Sequence, residues 1–479
     1  MSYKSIGYVL GWIMRVEGIF FLLPLAVAFL YREDTWYVWL GCAAVSYGLG
    51  VLLSGKKQGS RSRFFAREGY VAVALGWVMM SLVGALPFRI TGEIPDYTDA
   101  LFEIISGFTT TGASILLRVE DLSHSALVWR SFSHWIGGMG VLVFVLQIIP
   151  VTSGQTMNLM RAESPGPSVS RLVPRVRETA FYLYGIYIAL TVMEIVMLLL
   201  GRIPLFDALC TAFGTAGTGG FGIRSDSIAG YSPYIQVVVT VFMMLFGVNF
   251  SFYYLLLVRK GKDAFGMEEV RAYLGIFAAA TLLIMFNILP RIGSVAESLR
   301  HAAFQVASIM TTTGFATADF DLWPEFSRMM LVLLMFVGAC AGSTGGGIKV
   351  SRILIYLKTI KKETAYLIHP RSVKTVMMDG KKVDHVVVRA ANIFLLSYLL
   401  ILFSSMLLLS LDNHDFTTSV TAVISALNNI GPGLSLVGPT GNFGFFSDFS
   451  KYVLMFDMLA GRLEVFPMLL LFVPAVWKK

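Results

Sequence analysis

The sequence predicts an all-α integral membrane protein: four pseudo-repeated helix–pore-loop–helix units around a central pore, preceded by two N-terminal transmembrane helices. Three observations carry this expectation. Of 479 residues, 56% are hydrophobic and 14% are charged, roughly half the charged share of a soluble domain. The apolar residues fall in long runs, at 71–86, 141–151, 186–200, 237–258 and 393–411, as membrane-spanning segments do. One moderately polar, glycine-ended segment recurs four times between such runs. Collagen-like, disordered, disulfide-rich and coiled-coil classes are excluded by composition.

The first expected span covers 7–30. Ala26-Val27-Ala28 imitates a signal-peptidase site, but Glu17 lies where a signal peptide should be apolar, so a retained span is the simpler reading. A second span over 35–53 completes an N-terminal pair within 1–55. Pore units are expected at 69–151, 181–258, 272–360 and 388–479. Their paired spans are 69–90 with 129–151, 181–201 with 233–258, 272–290 with 327–350, and 388–411 with 452–476. With the N-terminal pair this makes ten spans.

The charges orient them. Lys56, Lys57, Arg61, Arg63 and Arg67 share one connection, Arg161, Arg171, Arg175 and Arg177 another, and Arg259, Lys260, Lys262 and Arg271 a third. The 42-residue stretch 349–390 carries ten basic residues, and Lys478 and Lys479 end the sequence. The alternate connections are acidic: Glu33 and Asp34; Glu93, Asp96, Asp99 and Glu103; Asp319, Asp321 and Glu325; Asp412 and Asp415. The positive-inside rule makes the basic set and both termini cytoplasmic. The net charge of +8 is therefore a topology signal. It does not describe a nucleic-acid surface, because the charges are dispersed and lack interleaved aromatic platforms. Outer acidic residues raise the local cation concentration. The basic stretches 151–180 and 349–390 suit a regulatory partner or anionic membrane lipid.

The four recurring segments are Asp99-Ala-Leu-Phe-Glu-Ile-Ile-Ser-Gly-Phe-Thr-Thr-Thr-Gly112, Asp207-Ala-Leu-Cys-Thr-Ala-Phe-Gly-Thr-Ala-Gly-Thr-Gly219, His301-Ala-Ala-Phe-Gln-Val-Ala-Ser-Ile-Met-Thr-Thr-Thr-Gly314 and Thr418-Ser-Val-Thr-Ala-Val-Ile-Ser-Ala-Leu-Asn-Asn-Ile-Gly431. The first holds ten residues before its threonines, a helix of ~15 Å, about half of a ~30 Å hydrocarbon core. A half-length helix with a non-helical tail cannot face lipid. Around a shared axis its carbonyls instead face a dehydrated cation, and its negative dipole end points inward. The expected ion-coordinating residues are Thr110, Thr111 and Gly112; Thr218 and Gly219; Thr312, Thr313 and Gly314; and Asn429, Ile430 and Gly431. On this register the second segment is one residue shorter than the first, and the fourth replaces Thr-Thr-Thr by Asn428-Asn429-Ile430 before Gly431-Pro432. Equal contribution of the four loops is therefore not expected. None carries the Gly-Tyr-Gly of strict potassium channels, so discrimination against sodium is expected to be modest.

These segments resemble the Trk/Ktr/HKT superfamily of potassium transporters over nearly the whole chain. So do Trp135-Ile-Gly-Gly-Met-Gly140, Thr218-Gly-Gly-Phe221, Ala341-Gly-Ser-Thr-Gly-Gly-Gly-Ile-Lys349 and Gly461-Arg-Leu-Glu464. The additional N-terminal spans are similar to the bacterial TrkH/TrkG branch. The resemblance implies a homodimeric potassium uptake subunit of the bacterial inner membrane, working with a cytosolic nucleotide-binding regulatory subunit of TrkA type. It implies no tightly bound cofactor, only K+ in the filter, with Rb+ and Na+ as further candidate ions.

Residues 338–347 hold five glycines in ten positions, each costing about 1 kcal/mol against alanine in a helix. An intramembrane loop under the filter is expected there, and the family resemblance makes it one that obstructs the pore. Gly345, Gly346, Gly347 and Arg462 are the candidate gate residues. Arg462 stands near mid-bilayer, where a charge costs at least ~2.5–3.5 kcal/mol unless it meets a cavity or partner. Glu464, two residues on, lies on another helix face and is not its expected partner. Lys349 is expected to snorkel to the cytoplasmic surface, and Glu194 to cap a polar contact.

Other motifs lack their contexts. Gly217-Thr-Gly-Gly-Phe-Gly222 fits a dinucleotide fingerprint without the strand and βαβ unit, and residues 342–349 resemble a phosphate loop with Ile348 displacing the lysine. Cys42, Cys210 and Cys340 form no CxxC. His134 is expected to pack beside Trp135. No catalytic constellation is present, so an enzyme is not expected. The competing class is an ion-coupled secondary transporter for another substrate. Its frequent inverted repeats are not seen, since every unit here begins on the same side.

Overall fold

The structure, a computed structural model, describes residues 3–55, 66–140, 176–371 and 374–477. The expected features at 56–65 and 141–175 lie outside the described residues, as do Lys478 and Lys479. Among the described residues six helices are long and apolar enough to cross a membrane, and a bent pair makes a seventh. The protein is a multi-pass, almost wholly helical membrane protein.

The first span is interrupted at Phe21 between α1 (Tyr3–Phe20) and α2 (Leu22–Leu30), where Pro24 cannot donate to the helix ladder. Helix α3 (Trp36–Leu53) returns beside α1. The two backbones touch at Gly11 and Gly50: a Cβ on Gly11 would lie 2.7 Å from the Gly50 oxygen. Small residues permit such close approach where hydrophobic burial gives helices no preference for one another over lipid. This hairpin packs on the first unit, α1 against α4 and α2 against α7.

Unit 1 comprises α4 (Ala66–Gly84), α5 (Leu86–Thr91), the half-length α6 (Tyr97–Phe108) and α7 (His124–Gly138). Unit 2 comprises α8 (Val176–Leu200), the half-length α9 (Leu205–Gly217), α10 (Pro233–Phe246) and α11 (Phe250–Leu257), followed by the short α12 (Gly261–Gly266). Unit 3 comprises α13 (Glu268–Ile292), the half-length α14 (Val295–Met310), α15 (Glu325–Val337) and α16 (Val350–Ile368). A two-stranded hairpin, β1 (Met377–Met378) with β2 (Lys381–Lys382), leads into unit 4: α17 (His385–Leu409), the half-length α18 (Phe416–Asn428), α19 (Asp448–Arg462), α20 (Phe466–Leu471) and α21 (Pro474–Trp477).

Capping repeats with the fold. Asp96, Ser294 and Asp415 accept backbone N–H bonds at the starts of α6, α14 and α18, and Ser123, Ser232 and Ser447 do so for α7, α10 and α19. Each satisfies amides that a helix start leaves unpaired. Packing is cyclic. Helix α9 lies on α7 of the preceding unit, α14 on α10, α18 on α15, and α6 of the first unit on α19 of the last. Four units thus close around one axis.

The expected second spans are not continuous. Helix α7 ends at Gly138, α10 and α11 meet at 87° across 247–249, α15 stops before Gly338, and α19 stops before Leu463. Left-handed Gly140, Gly338, Glu464 and Val465 mark three of these breaks. A second correction concerns 349–390, expected as a long basic loop: much of it is α16, tied to α13 by a Lys358–Glu268 ion pair.

Candidate functional site

The half-length helices end alike. Thr110, Thr218, Thr312 and Asn429 all adopt left-handed φ, between 54° and 58°. One residue later the N–H of Thr111, Gly219, Thr313 and Ile430 returns to the carbonyl of Ser106, Gly214, Ser308 and Ser425, at 2.8–3.0 Å. This closing bond to a residue five back is the Schellman helix stop. Positive φ recurs two residues after the stop, at Gly112 (80°), Gly220 (76°), Gly314 (84°) and Gly431 (103°).

The register in unit 2 therefore differs from the sequence expectation. Gly220 is the counterpart of Gly112, while Gly219 corresponds to Thr111. The second segment is not shorter than the others, since doubled glycines hid the equivalence.

The four segments touch in a closed ring. A Cβ on Gly112 would lie 2.0 Å from the Gly219 oxygen, and one on Gly220 would lie 1.9 Å from the Thr313 oxygen. One on Gly314 would lie 2.1 Å from the Ile430 oxygen, and one on Gly431 would lie 2.9 Å from the Thr111 oxygen, completing the circuit. Glycine is required twice over, by positive φ and by the neighbouring backbone. The structure brings together all eleven residues expected for coordination and adds Gly220.

Outside the ring opens a cavity of about 800 Å³, including its solvent-open part, lined by Gly112, Gly220, Gly314 and Gly431 among others. Across its rim the Glu120 carboxylate accepts from the Ser225 amide at 2.7 Å and hydroxyl at 2.5 Å, joining loops 1 and 2. These two bonds hold the Glu120 carboxyl below its ordinary range.

Beneath the ring lies the expected glycine-rich loop, 338–349. The Gly346 N–H donates to Thr312 Oγ1 at 2.6 Å. A Cβ on Gly345 would lie 2.9 Å from the Thr311 oxygen, and one on Gly346 would lie 2.4 Å from that of Asn428. The loop thus seats against the last carbonyls of α14 and α18. Glu269, at the start of α13, clasps both its ends, accepting from the Ala341 N–H at 2.7 Å and the Ser351 N–H at 3.0 Å. Gly347 packs on Gly338, and its Cβ position lies 3.8 Å from Thr312 Cγ2.

Arg462 reaches this loop from α19. Its guanidinium donates to the Thr344 carbonyl at 2.9 Å, and to the carbonyls of Gly138, also at 2.9 Å, and Gly137. It so connects units 4, 3 and 1. Glu464 pairs with Arg352, in keeping with its different helix face. Lys349 corrects the snorkelling expectation: it is buried and its Nζ donates to the Gly345 carbonyl. Its backbone is left-handed, at φ 74°, and turns it back into the loop. Glu194 is fully buried.

The sequence reading gave no site role to Glu103, Arg130, His134 or Glu269. His134 does more than pack beside Trp135: it hydrogen-bonds the Gly107 oxygen at 2.8 Å and accepts from the Phe221 N–H at 3.2 Å. Among the described residues no group of three or more His, Cys, Asp or Glu is placed to hold a metal ion.

Four helix–loop–helix units closed around one axis, with a glycine ring between an open cavity and a glycine-rich loop, define a single-chain, four-repeat membrane protein of the pore-loop class. The chain belongs to the TrkH family. Its family model, described as a cation transport protein, matches residues 42–479. The chain is 34% identical over 488 residues to the Trk system potassium uptake protein TrkH of Salmonella typhimurium, with all of both chains covered. It is 33% identical over 483 residues to the Trk system potassium uptake protein TrkG of Escherichia coli K12, covering 99% of each. The crystal structure of the potassium transporter TrkH from Vibrio parahaemolyticus superposes with a TM-score of 0.89 at 32% identity, covering both chains fully.

Proposed function

We propose that this protein is a potassium uptake subunit of the bacterial inner membrane. Dehydrated K+ passes through a selectivity filter made by Thr110–Gly112, Thr218–Gly220, Thr312–Gly314 and Asn429–Gly431. The observation that carries the reading is the closed ring, in which each loop's glycine abuts a carbonyl of the next. Such a ring presents backbone oxygens to an ion that has lost its water, and no catalytic chemistry is called for. Rb+ substitutes for K+, and Na+ is discriminated against only modestly.

The glycine-rich loop is the gate in this reading. Gly345 and Gly346 stop the path below the ring, and Arg462 both holds the loop through Thr344 and opposes cations electrostatically. Both termini are cytoplasmic. The working assembly is a homodimer that responds to a cytosolic nucleotide-binding subunit of TrkA type, and α16 with the β1–β2 hairpin is the basic face offered to it.

The test is Rb+ and Na+ flux in proteoliposomes for the wild type, Gly112→Ser and Gly314→Ser. Loss of flux or of Rb+ preference in both variants supports the filter. Unchanged flux and unchanged preference in both would reject it.

A further inference from the structure

The ring is nearly fourfold in backbone but not in what holds each loop in place. In loop 1 the Thr109 and Thr111 hydroxyls lie 2.8 Å apart and Thr109 Oγ1 donates to the Ile105 carbonyl. Loop 3 repeats this with Thr311 and Thr313, at 2.7 Å. Loop 4 uses Asn429, whose Nδ2 donates to Thr111 Oγ1 at 3.0 Å and to the Met458 carbonyl at 2.9 Å. Loop 2, with Gly217, Gly219 and Gly220 around Thr218, has no such ladder. The Thr218 hydroxyl is spent on its neighbour's carbonyl, that of Gly217, at 2.6 Å.

What loop 2 lacks internally, α7 supplies. The His134 ring fills the space beside Gly219, whose Cβ would lie 2.2 Å from Nδ1. With Nδ1 against the Gly107 carbonyl and Nε2 accepting from the Phe221 N–H, the geometry requires the tautomer protonated at Nδ1. One helical turn earlier, Arg130 donates to the Gly222 carbonyl at 3.2 Å and lies over the Phe221 ring at 4.1 Å. It is fixed on the other side by buried Glu103 of α6, at 2.7 and 2.8 Å.

The other units show that this strut is an exception. Counting from the residue before each second helix (Ser123, Ser232, Pro324, Ser447), the counterparts of Arg130 are Val239, Leu331 and Leu454, and those of His134 are Met243, Met335 and Met458. All six are fully buried apolar residues. Unit 1 alone places an ion pair and an imidazole there. Burying that charge is costly and packing alone favours the apolar choice.

We propose that Arg130 and His134 are positioning residues for ion discrimination: they hold Gly219–Gly222 of loop 2 at the radius the other three loops set with their own side chains. The inference rests on the filter reading. The experiment compares Rb+ and Na+ flux per folded protein in proteoliposomes for the wild type, His134→Phe, His134→Gln, Arg130→Lys and Gly314→Ser. Phe keeps the ring packing and loses both hydrogen bonds, whereas Gln restores an acceptor for the Phe221 N–H. Lys keeps the charge beside Glu103 and loses the stacked contact. His134→Phe and Arg130→Lys are expected to lower the Rb+/Na+ ratio about fivefold, the fold-change equivalent to the one net hydrogen bond that each loses to loop 2, with Rb+ flux within about twofold. His134→Gln is expected to recover most of the ratio. A proportional fall of both fluxes, or no change at all, in His134→Phe would overturn the proposal. Should that variant fail to fold, an unchanged ratio in Arg130→Lys would overturn it equally. If Gly314→Ser shifts the ratio and the α7 variants do not, only this inference falls. If Gly314→Ser also changes nothing, the filter reading falls with it.

Discussion

Replacing Gly314 by alanine adds one methyl group at the tightest kind of contact in the ring. The new Cβ would stand 2.1 Å from the Ile430 oxygen and 3.0 Å from Pro432 Cδ. To reach ordinary contact at 3.4 Å the carbonyl must retreat by about 1.3 Å. The left-handed backbone, φ 84°, adds about 1–2 kcal/mol of strain. Gly293 separates the two costs: its φ is 78°, and nothing lies within 4 Å of its Cβ position, so Gly293→Ala carries the strain without displacing any carbonyl. An ion–carbonyl contact is worth no less than a hydrogen bond to a charged group, about 1.5–3 kcal/mol, so losing one predicts a roughly tenfold to hundredfold fall in Rb+ flux. The assay is tracer Rb+ uptake into proteoliposomes, normalised to monodisperse protein. Gly314→Ala should lose flux on that scale while Gly293→Ala stays within about twofold. Equal effects of the two substitutions would refute the reasoning, because strain alone would then account for both.

Three further outcomes follow from named contacts. Arg462→Ala removes the donors to Thr344, Gly137 and Gly138 and should raise basal Rb+ flux severalfold, since loop and charge barrier are released together; flux unchanged or lower in well-folded protein rejects the barrier. Glu269→Ala frees the amides of Ala341 and Ser351 and should speed their hydrogen exchange by at least about tenfold, from two charge-assisted bonds; unchanged exchange there contradicts the clasp. Because Glu120 is held below its ordinary range by Ser225, its folded pKa lies under the unfolded value. Its stabilisation is therefore complete above the ordinary carboxylate range and lost as pH falls through the lowered value. The melting-temperature difference between wild type and Glu120→Gln should hold at neutral pH and shrink in acid, and a pH-independent difference rejects the latch.

How far the sequence revealed this molecule depended on whether a feature was local. The four-unit plan was legible because each unit repeats a short polar helix and a glycine between apolar runs, and periodicity survives in sequence. The register of unit 2 was misread because Gly219 and Gly220 are chemically identical and either can end the segment, and the positive φ of Gly220 decides between them. The breaks in the second spans were hidden for a similar reason: hydropathy runs unbroken through Phe246, Gly247 and Val248, while the 87° bend depends on the glycine-rich loop docking there, with Cys340 N–H on the Gly247 carbonyl and Phe250 N–H on that of Gly342. Lys349 was misread because snorkelling assumes a helix pointing outward, and its left-handed backbone reverses it. Arg130 and His134 did leave a sequence signal, a cation and an imidazole where three sister helices carry aliphatic or methionine side chains. Reading it required the units to be aligned on their caps, and the loop 2 partners of both residues lie some ninety positions away.

The central claim is that four loops of one chain coordinate a dehydrated cation at the glycine ring. It is tested most directly by crystals grown in RbCl and measured at the rubidium absorption edge. The account predicts anomalous density on the pseudo-fourfold axis, within the ring of Thr111, Gly219, Thr313 and Ile430 and their flanking glycines. Well-ordered loops in this arrangement with no rubidium peak on the axis would contradict it.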